Sequence, residues 1–147
     1  MKQLKTNWKI LFVDDSETEI KYLKLLFQLT DIPLTPTFIN EAQKGIDKLG
    51  QLEKSEFPDI IMVDINMPLM NGFEFAETYF DNFSQKYPDT RLFIYSTSIH
   101  SADISRAETT RGATGFIAKP FAENTFTDFI YPYLPNTNII KSEAAQQ

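Results

Sequence analysis

The chain of 147 residues has no cysteine, one histidine, one tryptophan and five glycines. Without cysteine there is no disulfide framework, no thiolate metal site and no cysteine nucleophile. Basic residues are also outnumbered, 14 against 20 acidic, for a net charge of −6. Such a surface repels phosphate backbones and anionic lipid, so neither nucleic acid nor a membrane is expected as a partner. No apolar run approaches the roughly 20 residues needed to cross a bilayer. The start, MKQLKTNWK, leads into a five-residue apolar run that ends in acids, which does not read as a signal peptide. A cytoplasmic protein is expected.

What is present suits one folded domain. Apolar residues make up 42% and charged residues 23%, with 13 Phe and 6 Tyr to fill a core. A chain of this size buries roughly 68–70% of its unfolded surface, so no covalent staple is required. Short apolar runs alternate with longer amphipathic stretches, and no internal repeat is visible. The runs 9–13, 34–39, 59–63, 92–95 and 115–118 predict strands, the second interrupted by Pro36 and so placed at a sheet edge.

Between them, helical spacing puts Ile20, Leu23 and Phe27 on one face over 16–29. Asn40 and Gln43 suggest a capping box for a helix carrying Ala42, Ile46 and Leu49. Phe73, Ala76, Phe80 and Phe83 line a third helix. A fourth, near 101–110, is thin, with Ile104 and Ala107 as its apolar contacts and Thr109-Thr110 as weak helix formers. If any element moves, this one is expected to. A last helix uses Phe126, Phe129, Ile130 and Tyr133, with Pro132 ending or kinking it. Phe121, Phe126 and Phe129 would form a docking patch if exposed, and the polar tail over 135–147 is expected to fray. Strands alternating with helices predict an α/β fold, a three-layer sandwich around a five-stranded parallel sheet.

Ligands of open α/β sheets bind outside the carboxyl ends of the strands. There the sequence puts Asp14-Asp15, Asp64, Ser96-Thr97-Ser98 and Lys119-Pro120. Three carboxylates, a hydroxyl and an ammonium would converge on one rim. Paired and facing carboxylates are hard ligands for Mg²⁺, with Mn²⁺ as a possible substitute. A carboxylate can attack phosphorus, and a lysine with a metal can neutralise the transferring oxygens. His100, alone in a polar loop, is read as an ordinary surface residue.

LFVDDSE at 11–17, IIMVDINMPLMNG at 60–72, the hydroxyl run at 96–98 and TGFIAKPF at 114–121 resemble the receiver domain of two-component response regulators. The resemblance implies a domain over 8–134 in flavodoxin-like strand order 2-1-3-4-5, with no effector domain after it. It implies Asp64 as phosphoacceptor, Asp15 as a direct Mg²⁺ ligand, and Asp14 acting through water or as a second acid. The backbone carbonyl of Asn66 would complete the protein's share of the metal shell. Lys119 would contact the phosphoryl group, its bond to Pro120 would be cis, and Phe116 would be the aromatic switch residue.

The family's spacing back from Lys119 gives Thr97 as the switch hydroxyl, whereas the first residue beyond LFIY is Ser96. Ser96 is preferred. Phosphorylation would draw the hydroxyl inward, reposition Phe116 and alter a partner-binding surface. The donor would be a sensor histidine kinase or a phosphotransfer protein. A receiver-fold interaction module working without phosphorylation is the alternative. A phosphatase is disfavoured because Asn66 cannot supply a proton where a general acid would stand. A flavodoxin-like nucleotide binder is disfavoured because DDSETE would repel a phosphate.

Overall fold

A computed structural model describes residues 7–135. The charged start, 1–6, and the expected tail from 136 onward lie outside the described residues. Five strands, β1 (Trp8–Val13), β2 (Leu34–Ile39), β3 (Ile60–Val63), β4 (Arg91–Ser96) and β5 (Gly115–Ala118), form one parallel sheet in the order β2-β1-β3-β4-β5. Four helices follow in the crossovers: α1 (Glu17–Leu29), α2 (Ala42–Gln51), α3 (Gly72–Phe83) and α4 (Ser101–Thr109). Among the described residues no helix is long and apolar enough to cross a membrane.

Parallel strands covered on both faces read as continuous apolar runs, and β3, IIMV, is buried at every position. Alternation along the strands divides the core in two. Leu11, Val13, Ile61, Val63, Leu92 and Ile94 pack with Phe73, Phe75, Ala76 and Tyr79 of α3 on one face. Ile10, Phe12, Ile60, Met62, Phe93 and Tyr95 pack with Leu23 of α1 and with Phe121, Phe126 and Ile130 on the other. β2, with Pro36, is an edge strand, where the missing proline amide leaves no ladder bond broken.

The last helix is not a single regular one. Three residues, Glu123–Thr125 (α5), give way to a π-turn over Phe126–Ile130 and a 3₁₀ turn over Tyr131–Tyr133. Pro132 has no amide to donate and its ring crowds the carbonyl one turn back, so the helix widens before it. The widening leaves Phe126 and Ile130 buried but turns Phe129 (57% exposed) and Tyr133 (54%) outward. Phe121 and Phe126 are buried, so the suggested three-phenylalanine patch does not form.

Two other local expectations need correction. α2 begins after Glu41 with no side-chain cap, because Gln43 donates forward to Asp47 at 2.9 Å rather than closing a box with Asn40. The capping box belongs to α3 instead: Asn71 accepts from the Glu74 amide at 2.9 Å and Glu74 accepts from the Asn71 amide at 3.1 Å. On α3, Phe75 and Tyr79 are the buried neighbours, whereas Phe80 lies at the boundary under the Arg111 guanidinium.

The start of α3 presses directly on the end of β3. Gly72 donates its amide to the Ile65 carbonyl at 3.0 Å, and a Cβ there would lie 2.4 Å from the carbonyl oxygen of Asp64. Gly72→Ala should therefore force α3 off β3 and cost about 1–3 kcal/mol, the usual price of overpacking. Gly50→Ala, with nothing within 4 Å of the added carbon, should gain about 0.5–1 kcal/mol through helix propensity. Urea unfolding of the two variants beside the parent checks both signs.

Candidate functional site

The carboxyl ends of β1, β3, β4 and β5 deliver the rim. The Asp14 amide donates to Ile39 O and the Asp64 amide to Val13 O, both at 3.0 Å, so each acid leaves its strand at a fixed height. Asp14 (2% exposed) and Asp64 (8%) are buried, while Asp15 is exposed. One carboxylate oxygen from each of the three lies within 4.8 Å of the others.

Lys119 closes the group. Its Nζ lies 2.6 Å from Asp14 Oδ2 and 3.4 Å from Asp64 Oδ1, and its side chain is only 9% exposed. Losing it would strand Asp14 without a counter-charge, a kind of change that costs about 3–5 kcal/mol. Burial opposes the lysine's charge, but the hydrogen bond to Asp14 and the fields of Asp64, Asp14 and Glu19 outweigh it and raise its pKa. Asp64 behaves oppositely. Burial, aided by Asp14, pushes its carboxyl up to about 6 despite the attraction of Lys119.

Ser16, at the N-cap of α1, accepts from the Glu19 amide at 3.2 Å, and its own amide donates to Asp14 Oδ1 at 2.9 Å. Asp14 is thus satisfied by a helix start as well as by Lys119. Asn66 is exposed in the loop after β3. Ser96 ends β4 with 2% exposure, and its Oγ accepts from the Ser98 amide at 3.2 Å; Thr97 is exposed. Ser98 in turn donates to Asp103 Oδ2 at 2.6 Å, tying the loop to α4. Phe116 is half-buried against the α3 side of the core, opposite Ile94 in the ladder. The Lys119–Pro120 peptide is cis. His100 is exposed at the start of α4 and caps nothing with its side chain.

The response regulator receiver domain family matches residues 10–131. The chain belongs to that family. As a receiver it is 30% identical over 113 residues to a chemotaxis protein CheY homologue of Campylobacter jejuni, with 77% of this chain and 82% of the relative covered. It is 34% identical over 113 residues to the nitrate/nitrite response regulator protein NarL of Escherichia coli, across 75% of this chain. That alignment takes in 47% of NarL, so the receiver spans about half the relative's length. The solved chemotaxis response regulator CheY4 of Vibrio cholerae superposes with a TM-score of 0.69 at 26% identity, covering 88% of this chain and all of that one (100%).

The receiver's site also contains residues that motif reading passes over. Tyr95 Oη donates to Glu19 Oε1 at 2.6 Å and accepts from the Phe121 amide at 2.9 Å. The available signal was a phenol ending the otherwise hydrocarbon run LFIY.

The raised pKa of Asp64 has a definite sign. At this group the folded protein binds a proton more tightly than the unfolded chain does, so the contribution of Asp64 to stability is fully present below about pH 4. That contribution should decline by about 3 kcal/mol as pH rises through about 6. Asp64→Asn should remove that decline in metal-free buffer, gaining about 1–3 kcal/mol over the parent at pH 8 and almost nothing at pH 4. Denaturant midpoints of both proteins at the two pH values measure the difference.

Proposed function

We propose that this receiver takes a phosphoryl group on Asp64 from a sensor histidine kinase or a phosphotransfer protein, and that the phosphorylated form changes its affinity for a downstream protein. The observation that carries the reading is the buried ammonium of Lys119 set between Asp14 and Asp64 beneath a cluster of three carboxylates. In the transfer, a carboxylate oxygen of Asp64 bonds to phosphorus and the bond from phosphorus to the donor's imidazole nitrogen breaks. Its electron pair stays with the imidazole, which leaves as the neutral ring because its second nitrogen carries a proton.

The chain's own groups divide the work. Lys119, a compact point charge, can follow the arriving phosphoryl oxygens because it already reaches Asp64. Ser96 accepts one hydrogen bond from Ser98 and keeps its own proton to donate to a phosphoryl oxygen, which favours it over the exposed Thr97 as the switch hydroxyl. Phe116, half-buried one strand away, would follow that movement. The added charge of about −1.5 to −2 is sufficient to create such contacts. The receiver domain over 8–134 works as a signalling module and turns over no separate metabolite.

The donor set suits a hard divalent cation: three carboxylates against one ammonium leave two negative charges in a partly buried rim. Asp14, Asp15, Asp64 and the main-chain carbonyl of Asn66 would hold Mg²⁺, or Mn²⁺ in its place, and the ion would supply neutralisation of carboxylate and phosphoryl oxygens.

Acetyl phosphate with Mg²⁺, followed by intact mass measurement, tests the reading. One phosphoryl adduct is expected on the parent, none on Asp64→Asn, and none on the parent in excess chelator. No adduct from acetyl phosphate or from a kinase-loaded phosphotransfer protein, together with no Mg²⁺ binding, would leave an interaction module that works without phosphorylation.

A further inference from the structure

Phe121 follows the Lys119–Pro120 peptide and is held at both its polar main-chain groups by tyrosine hydroxyls. Its N–H donates to the Tyr95 hydroxyl at 2.9 Å, and its carbonyl accepts from the Tyr22 hydroxyl at 2.5 Å. The Tyr95 hydroxyl donates onward to Glu19 at 2.6 Å. Glu19 and Tyr22 are three residues apart on α1 and so lie on one face of it. A continuous set of bonds therefore runs from α1 through β4 into the loop that carries Lys119.

The Tyr95 ring meets the same lysine directly. Lys119 Nζ lies 5.2 Å from its centroid, within the range where the electron-rich face of an aromatic ring attracts an ammonium. The Lys119 amide donates to Ser96 O at 3.0 Å. The lysine is thus rooted by Ser96, anchored downstream through Phe121 and supported by the ring of Tyr95. A phenylalanine at position 95 would keep the ring contacts with Phe12 and Phe121, so packing alone does not call for a phenol there. Burial, and then the hydrogen bond to Glu19, raise the phenol's pKa, so it remains a donor.

We propose that Tyr95, oriented by Glu19, is a positioning residue for phosphoryl transfer: it fixes the loop after β5 so that the Lys119 ammonium reaches both Asp14 and Asp64. This rests on Asp64 being the acceptor and names what aims its lysine. The lysine stem is flexible, so the ammonium keeps distances of 2.6 and 3.4 Å to two carboxylates only while its backbone root stays in place.

Tyr95→Phe keeps the ring and removes the hydroxyl. The rate of Mg²⁺-dependent phosphorylation by acetyl phosphate should fall about tenfold, the scale of a sub-ångström misplacement. Mg²⁺ affinity, set by the carboxylates, should change less than about twofold. Glu19→Gln keeps an oxygen for the phenol and should retain the parent rate within about twofold, whereas Glu19→Ala should not. In a Lys119→Ala background, Tyr95→Phe should cost almost nothing further; a full tenfold loss there would mean a general structural defect and overturn the proposal. Tyr22→Phe, at the exposed end of the clamp, gives the same cycle if Tyr95→Phe does not fold.

The ¹³Cε signal of Lys119 reads the placement without any transfer and should move toward that of a solvated lysine in Tyr95→Phe. An unmoved signal would also overturn the proposal. If the parent takes no phosphoryl group at all, the reading of Asp64 fails, while the lysine signal still decides whether the clamp aims Lys119.

Discussion

The charge balance around Lys119 is the constraint from which the rest of this protein follows. A single ammonium stands between Asp14 and Asp64 in a rim where both acids are almost wholly removed from water. Burying like charges side by side is unfavourable, and one lysine does not offset three carboxylates. The consequence is visible in Asp64, whose carboxyl holds its proton to about 6. A fold optimised only for stability would place amides there. This one keeps a site with unmet negative charge, of the kind that marks functional rather than stabilising positions.

The surrounding architecture supplies the rigidity that such a site needs. Two apolar layers sandwich a sheet whose central strand, β3, is buried along its whole length, so the tip carrying Asp64 has nowhere to drift. Gly72 lets α3 seat against the carbonyl of Asp64 itself. On the opposite side the loop bearing Lys119 has no helix of its own until Glu123, and tyrosine hydroxyls from β4 and α1 hold it instead. The acid is located by packing and the lysine by hydrogen bonds. β3, Gly72 and Phe121 lie within the motifs that carry the chemistry, whereas Glu19, Tyr22 and Tyr95 lie outside them.

Much of this is legible along the chain because the relevant signals are local. Apolar runs such as IIMV announce buried strands, and a polar or charged residue at the end of each run marks the rim. Asp14, Asp15, Asp64 and Lys119 can be found in that way. Expectations fared less well where a side chain had to choose among neighbours. Gln43 turned to Asp47 and left α2 uncapped; Phe129 was rotated outward by a widened turn whose cause, Pro132, was apparent but whose effect on facing was not. Ser96 and Thr97 are adjacent hydroxyls, and only the end point of β4 buries one and exposes the other.

The sequence by itself determined the fold class, the number and order of the strands' apolar segments, and the set of charged residues available at their ends. These depend on periodicity and on short-range backbone preferences, which are written in neighbouring residues. The tertiary structure alone decided which of those charges touch. That Lys119 sits on Asp14 at 2.6 Å, 105 residues away, and that Tyr95 joins Glu19 to Phe121, depend on a parallel sheet bringing β1, β4 and β5 into register. Contacts across such separations are products of topology, and no local pattern encodes their distances.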